Sequence, residues 1–248
     1  MGNRRGKYGL DAPWALARLV LGALLLLALM LVSFASDVVM AGVVFLAGAC
    51  YTFASAASHL HTTLRGRFAV WKEELARLDG HENVLDLGCG RGAVLLLAAG
   101  RLTSGHATGV HAARARGRIR GRARGRSRSD EAVTRANAEA EGVRDRVHQV
   151  TADLRDLPFG DEEFDVVLSA LALRDLSGAA AREQAVREAY RVVRPGGLLL
   201  LADLQHTPAY EAALRGLGAR DVRARDLGRR YWYGGPWLRT CMVEARKP

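Results

Sequence analysis

The sequence predicts an α/β domain with a mostly parallel sheet covered by helices on both faces, preceded by two transmembrane helices. Three observations predict it. Residues 14–34 and 38–54 are almost wholly apolar. Residues 83–99 read as a short apolar strand, a glycine turn and an apolar helix. Further on, short apolar runs alternate with helical patterns, as βαβ units require.

The first apolar run, WALARLVLGALLLLALMLVSF, carries one charge, Arg18, close enough to its start to snorkel to an interface. A bilayer core asks for about 20 apolar residues per helix. The first run meets that length and the second, VVMAGVVFLAGACYTFA, lies near the lower limit. Both are apolar all round rather than amphipathic, and Gly42, Gly48 and Ala49 permit close helix packing. Ser36 and Asp37 form the turn between them. A signal peptide would have a shorter apolar core and no second span. Arg4, Arg5 and Lys7 precede the hairpin and Arg65, Arg67 and Lys72 follow it. The positive-inside rule therefore puts both termini and the α/β domain in the cytoplasm, at the inner or plasma membrane. The expected organisation is a basic tail over 1–12, a transmembrane hairpin over 13–57, a juxtamembrane linker over 58–64 and the α/β domain over 65–248. His59 and His61 on the linker are read as solvated or interfacial, and no metal site is expected.

The glycine turn is specific in its chemistry. Gly88, Gly90 and Gly92 alternate behind Asp86, which ends the strand 84–87. Glycines let the chain turn sharply and let a ligand approach the backbone. A dinucleotide loop would lay a pyrophosphate on the following helix. Here a carboxylate stands at the strand end, which suits a ligand with a positive end. Cys89 is a small packing residue. It and the other two cysteines, Cys50 and Cys241, are far apart, so neither a disulfide framework nor a zinc site is indicated, and a reducing cytosol fits.

The remaining elements follow in order. Residues 65–78 form a helix stopped by Gly80, and 94–102 the first crossover helix. Residues 105–110 form the second strand, which His111 follows. From Arg114 to Arg128 arginine occupies alternate positions, and these eight arginines account for most of the net charge of +10. No apolar face accompanies them, so 111–129 is read as an exposed, disordered loop. It suits contact with anionic lipid. Nucleic acid is not an expected partner, since no aromatics interleave. A composition of Arg, Ala and Gly is also what a local frameshift in GC-rich coding sequence would produce. Ser129 or Asp130 caps a helix running to about Glu141, and 146–151 is the third strand. Asp153 and Leu154 follow it, ahead of Leu157-Pro158-Phe159. Residues 164–168 form a buried strand leading to Ser169 and Ala170. Arg174 either binds an anionic acceptor or pairs with Asp175. A helix over 181–193 ends at Arg194-Pro195-Gly196-Gly197, a turn into the fifth strand, 198–201. A helix over 209–217 and a closing strand pair, 222–227 and 239–245, complete the domain. Tyr231, Trp232, Tyr233 and Trp237 lie between those strands and line an acceptor pocket, reach the membrane interface or pack within the loop.

Four segments occur together: the glycine loop, Asp153-Leu154 with its Leu-Pro-Phe, the strand end at Ser169, and Arg-Pro-Gly-Gly. Together they resemble the class I S-adenosylmethionine (SAM)-dependent methyltransferases of the type 11 and quinone-biosynthesis group. The resemblance implies a Rossmann-like, seven-stranded, mostly parallel sheet with a reversed last strand, and SAM as cofactor. It implies that Asp86 lies near the methionine ammonium and that Gly88, Cys89, Gly90 and Gly92 supply loop contacts. Asp153 would accept from the adenine amino group, Leu154 would pack on the ring, and Ser169 and Ala170 would line the methyl-donor side. His111 stands where the family has an acidic residue for the ribose hydroxyls. No catalytic residue is implied. The function expected is methyl transfer to a small-molecule or lipid-like acceptor by a membrane-anchored enzyme. The alternatives are a non-catalytic relative, or a binder of anionic lipid or nucleic acid through the arginine tract.

Overall fold

A computed structural model describes residues 5–113 and 122–248, with side chains for all of these except 122–129. It divides into two compact units. One comprises Trp71–Leu227 and Thr240–Pro248 with the N-terminal tail as far as Gly9. The other comprises Leu10–Val70 and Gly228–Arg239.

The larger unit holds a seven-stranded sheet. Its strands are β1 (Val84–Leu87), β2 (Ala107–Ala112), β3 (Val147–Ala152), β4 (Phe164–Ala170), β5 (Val193–Asp203), β6 (Arg220–Asp226) and β7 (Cys241–Arg246). They lie in the order β3-β2-β1-β4-β5-β7-β6. Neighbours among β1 to β5 pair in parallel, while β7 runs antiparallel to both β5 and β6. This is the Rossmann-like arrangement with a reversed final strand. The β1 and β4 strands read as unbroken apolar runs because both of their faces are covered. Leu85, Leu87, Val167, Leu199, Leu201 and Val243 pack with Val186, Ala189, Tyr210 and Leu214 in one core cluster. Each buried Leu or Val among them contributes about 1.5–3 kcal/mol. The chain leaves β1 toward β2 and β3 on one side and returns to β4 and β5 on the other. The crevice beyond the carboxyl ends of β1 and β4 is therefore the topological switch point.

Three expectations need correcting here. Residues 194–197 are not a turn ahead of the fifth strand but lie inside β5. Phe164 pairs with Val193 and Val166 with Leu198, so these residues bulge out opposite Asp165. The proline has no N–H for the ladder, and Arg194 forms an ion pair with Asp165. The helix expected from Ser129 or Asp130 begins earlier: it spans Arg122–Glu141. Of the arginine tract, residues 114–121 lie outside those described. Residues 111 and 112 close β2 and 122–129 are helical, so the expected loop over 111–129 is shorter at both ends.

The smaller unit is built on two apolar helices, α1 (Pro13–Ala35) and α2 (Val39–His61). Each is about 34 Å long. Close packing depends on small residues, as the sequence suggests. A Cβ on Gly42 would lie 2.6 Å from the Phe34 ring, and Gly48 faces Leu26. Large apolar side chains such as Leu21, Leu25, Val32, Met40 and Val44 point outward. Both helices have the length and composition to cross a bilayer, and 6% of the most apolar stretch of α1 is buried within the protein, against the pattern of a core helix. The expected linker over 58–64 is absent. The α2 helix continues through a π-helical turn, Thr62–Gly66, into α3 (Arg67–Glu74). The polar stripe that suggested a linker is satisfied instead by the 228–239 loop. Ser58 Oγ and Thr62 Oγ1 donate to the Trp232 carbonyl at 3.0 and 2.7 Å. His59, expected to be solvated or interfacial, is buried with Nε2 2.9 Å from the Asp11 carbonyl.

Candidate functional site

The carboxyl ends of β1 to β4 bring the expected site residues to one edge of the larger unit. Leu87, next to Asp86, pairs with Val110 on one side and Ser169 on the other, and His111 pairs with Thr151 just ahead of Asp153. Gly88, Gly90 and Gly92 all adopt positive φ, between 52° and 80°. Gly88 is irreplaceable on two counts: its φ is +73°, and a Cβ there would lie 2.2 Å from the Ala172 Cβ. The Leu154 side chain borders the same position at 3.9 Å. Around Gly90 there is open space, so a ligand can reach the backbone.

The loop is held from both sides. The N–H groups of Gly88 and Cys89 donate to the Val110 carbonyl at 2.9 and 3.1 Å. Helix α5 (Arg122–Glu141) pins the far side. Thr134 Oγ1 donates to the Gly90 carbonyl at 2.9 Å and Asn137 Nδ2 to the Arg91 carbonyl at 3.0 Å. The N-terminal tail lies against that helix. Gly6 N–H donates to Glu141 Oε1 at 3.0 Å and Lys7 N–H to Asn137 Oδ1 at 2.6 Å.

Asp86 is buried, and no cationic side chain pairs with it among the described residues. Burial pushes its pKa up to about 7. Burial, and then the Asp86 charge, push the Cys89 thiol up as well, so it remains a protonated packing group rather than a nucleophile. Asp153 is half-exposed and held by Arg155, whose Nη2 lies 2.5 Å from Oδ2. That hydrogen bond holds the Asp153 carboxyl below its usual range. Ser169 is buried, its hydroxyl donating to the Leu87 carbonyl at 3.2 Å, which leaves it a wall residue beside Ala170.

Residues 85–201 match a family described as a methyltransferase domain. The chain is similar to methyltransferase GfsG of Streptomyces halstedii, 35% identical over 131 residues that cover 52% of this chain and 40% of that protein. It is also similar to 27-O-demethylrifamycin SV methyltransferase of Amycolatopsis mediterranei, 34% identical over 152 residues, 60% of this chain and 46% of that one. Residues 85–201 of the chain thus carry a methyltransferase domain. The fold of geranyl diphosphate methyltransferase, solved in complex with SAM, is similar with a TM-score of 0.58 at 13% identity, over 77% of this chain and 88% of that one. The matched segments span less than half the length of these two curated relatives.

His111 stands where the sequence resemblance leads one to expect an acidic residue. His111 is buried at the end of β2, its Nε2 2.9 Å from Gln149 Oε1. A carboxamide oxygen only accepts, so this nitrogen carries the proton and donates. Cys89 Sγ lies 3.6 Å from the same ring nitrogen and 3.8 Å from Nδ1. The ring is thus engaged by its own neighbours.

Asp203 and Tyr210 are part of this edge although sequence reasoning did not single them out. Asp203 ends β5 and is buried. It accepts from the Tyr210 hydroxyl at 3.0 Å, the Arg174 N–H at 3.0 Å and the Leu204 N–H at 2.7 Å. Burial raises the pKa of both side chains. A signal existed: Asp203 closes an apolar strand as Asp86 does. The Arg174 guanidinium lies 4.0 Å from Asp175, a long ion pair at the surface worth little.

Proposed function

We propose that this chain is a membrane-anchored methyltransferase that carries a methyl group from SAM to a small, hydrophobic acceptor, working on the cytoplasmic side. The observation that carries the reading is Asp86. A buried carboxyl that lacks a cationic partner among the described residues, directly ahead of an open glycine loop, fits a ligand with a positive end and repels a phosphate. SAM, when bound, supplies an electrophilic methyl group on its sulfonium. Asp86 holds the ammonium end. The backbone of Gly88, Cys89, Gly90 and Gly92 gives the ligand a close floor. Asp153 accepts from the adenine amino group and Leu154 packs on the ring, while Ser169 and Ala170 form the wall beside the methyl donor. The contribution of these residues to rate is positioning and exclusion of water. The α1–α2 hairpin supports membrane anchoring by its length and its outward apolar side chains, and a lipid-soluble acceptor would be concentrated there.

Titration of SAM into the full chain in detergent tests the proposal. Saturable heat is expected. No heat at millimolar SAM overturns it.

One observation favours a second reading, a methyltransferase fold that binds SAM too weakly to turn over: His111 donates to Gln149 where the family's acid accepts from ribose. Loss of that acceptor costs about 2–3 kcal/mol, roughly 30- to 150-fold in affinity. Tight binding of SAM by the unaltered chain rules this reading out.

A further inference from the structure

The loop between β6 and β7 belongs to the smaller unit and follows α2 along a single stripe of the helix. The Arg230 carbonyl approaches Gly66 so closely that a Cβ there would be 1.7 Å away. One turn on, the Trp232 carbonyl accepts from Thr62 and then from Ser58. The Tyr233 ring meets His59 edge-on at 5.3 Å, Gly234 faces the Ser55 carbonyl, and the Trp237 ring lies 5.4 Å from that of Tyr51. From Gly66 to Tyr51 the loop descends about 22 Å along the helix. Its tip ends level with Tyr51, inside the apolar run 38–54, and Tyr51 directly precedes Thr52, which faces Gly22 in the middle of α1.

The root of the loop is polar and buried. Asp11 accepts from the Tyr233 hydroxyl at 2.7 Å and from Arg67 Nη1 at 2.5 Å, while His59 meets its carbonyl. Burial pushes the Tyr233 phenol far up, so it stays neutral. The tip is different. Trp237 is 66% exposed and Leu238 40%, and the charged residues of the loop, Arg229, Arg230 and Arg239, are confined to its two ends. Exposed backbone donors are costly in a bilayer. Here Tyr233 N–H donates to the Leu238 carbonyl at 2.9 Å, Leu238 N–H to the Gly235 carbonyl at 3.1 Å, and Pro236 has no donor.

We infer that the tip of this loop, residues 234–238, is embedded in the cytoplasm-facing leaflet beside α2, making it a second membrane-inserted element of the chain. The inference rests on the proposal that α1 and α2 enter a bilayer. Its partner is the lipid itself: the polar cluster at Asp11, Arg67 and Tyr233 marks the headgroup level, and His59 to Tyr51 places the tip about 12 Å deeper. An indole on an apolar turn whose own residues carry no charge suits that depth.

Full-length protein in phosphatidylcholine–phosphatidylglycerol vesicles, with and without brominated acyl chains, tests this. The emission of Trp237 is isolated by subtracting the Trp237→Phe variant, and that of Trp14 by subtracting Trp14→Phe. The expected result is about a twofold loss of the Trp237 emission in brominated lipid, alongside a similar loss for Trp14. Quenching of Trp14 with none for Trp237 overturns this inference and leaves the membrane hairpin standing. No quenching of either overturns both.

Discussion

If Asp86 is a seat for an ammonium, SAM affinity must depend on pH in a defined way. Burial lifts this carboxyl from 3.8 to about 7, so near neutrality the free protein holds its proton about half the time. A bound cation favours the carboxylate, and binding then expels the proton wherever the free site retains it. Affinity therefore rises with pH up to about 7 and levels off above. With a free-site pKa of about 7, affinity at pH 6 is roughly one-eighth of that at pH 7.5, about 1.3 kcal/mol. The window closes near pH 8, where an α-amino group such as that of SAM begins to lose its own proton. Calorimetry in two buffers of different ionisation enthalpy should detect the release of about 0.9 proton per SAM at pH 6. Asp86→Asn should abolish both the pH dependence and the proton release. The same shift affects stability with the opposite sign. The native state holds a proton that the unfolded chain has lost, so the stability of the SAM-free protein falls as pH rises from about 4 through about 7. Asp86→Asn should accordingly unfold at a higher temperature than the unaltered chain at pH 8 without SAM. An affinity that is flat between pH 6 and 7.5, with no proton released, would refute the reasoning.

Three further outcomes are expected. Gly88→Ala combines a positive φ with a Cβ 2.2 Å from Ala172, whereas Gly90→Ala has the positive φ but open space. The first should lower the unfolding temperature by roughly 5 °C or more and the second by roughly half that, so equal losses in a thermal melt would contradict the close approach. His111→Asp restores a carboxylate at the end of β2 and lets Gln149 turn its amide to donate, and calorimetry should show SAM bound about 30- to 150-fold tighter; unchanged affinity argues that ribose is held elsewhere. Asp11→Ala removes the acceptor shared by Arg67 and Tyr233, leaving a buried guanidinium unpaired at a cost of about 3–5 kcal/mol. Its melting point in detergent should drop, and the added change Arg67→Met should recover most of the loss; a double variant no better than the single one sinks this account.

Most of the sheet and both apolar helices can be read from local pattern. The strands β1, β3 and β4 begin within a residue of where their apolar runs begin, and the glycine loop falls between Asp86 and α4 (Ala93–Ala99) as its spacing requires. These signals are legible because periodicity and glycine placement act over a few residues. Arg194 to Gly197 misled for the same reason: a Pro-Gly-Gly run indicates a chain reversal locally, and only pairing with β4 and β7 turns it into a bulge. Residues 58–64 look like a linker because they are polar, and they are helical because a segment some 170 positions away supplies their acceptors.

By itself the sequence determined the element order, the apolar hairpin, the family-type motifs and the identity of the residues at the strand ends. Each depends on contacts within one or two turns of chain. Tertiary structure alone decided that Gly88 lies against Ala172, that His111 is taken up by Gln149, that Asp203 joins Tyr210, and that the aromatic loop runs along α2. Those arrangements come from buried polar groups and close-packed surfaces finding partners far away in sequence, and no local period encodes which partner is found.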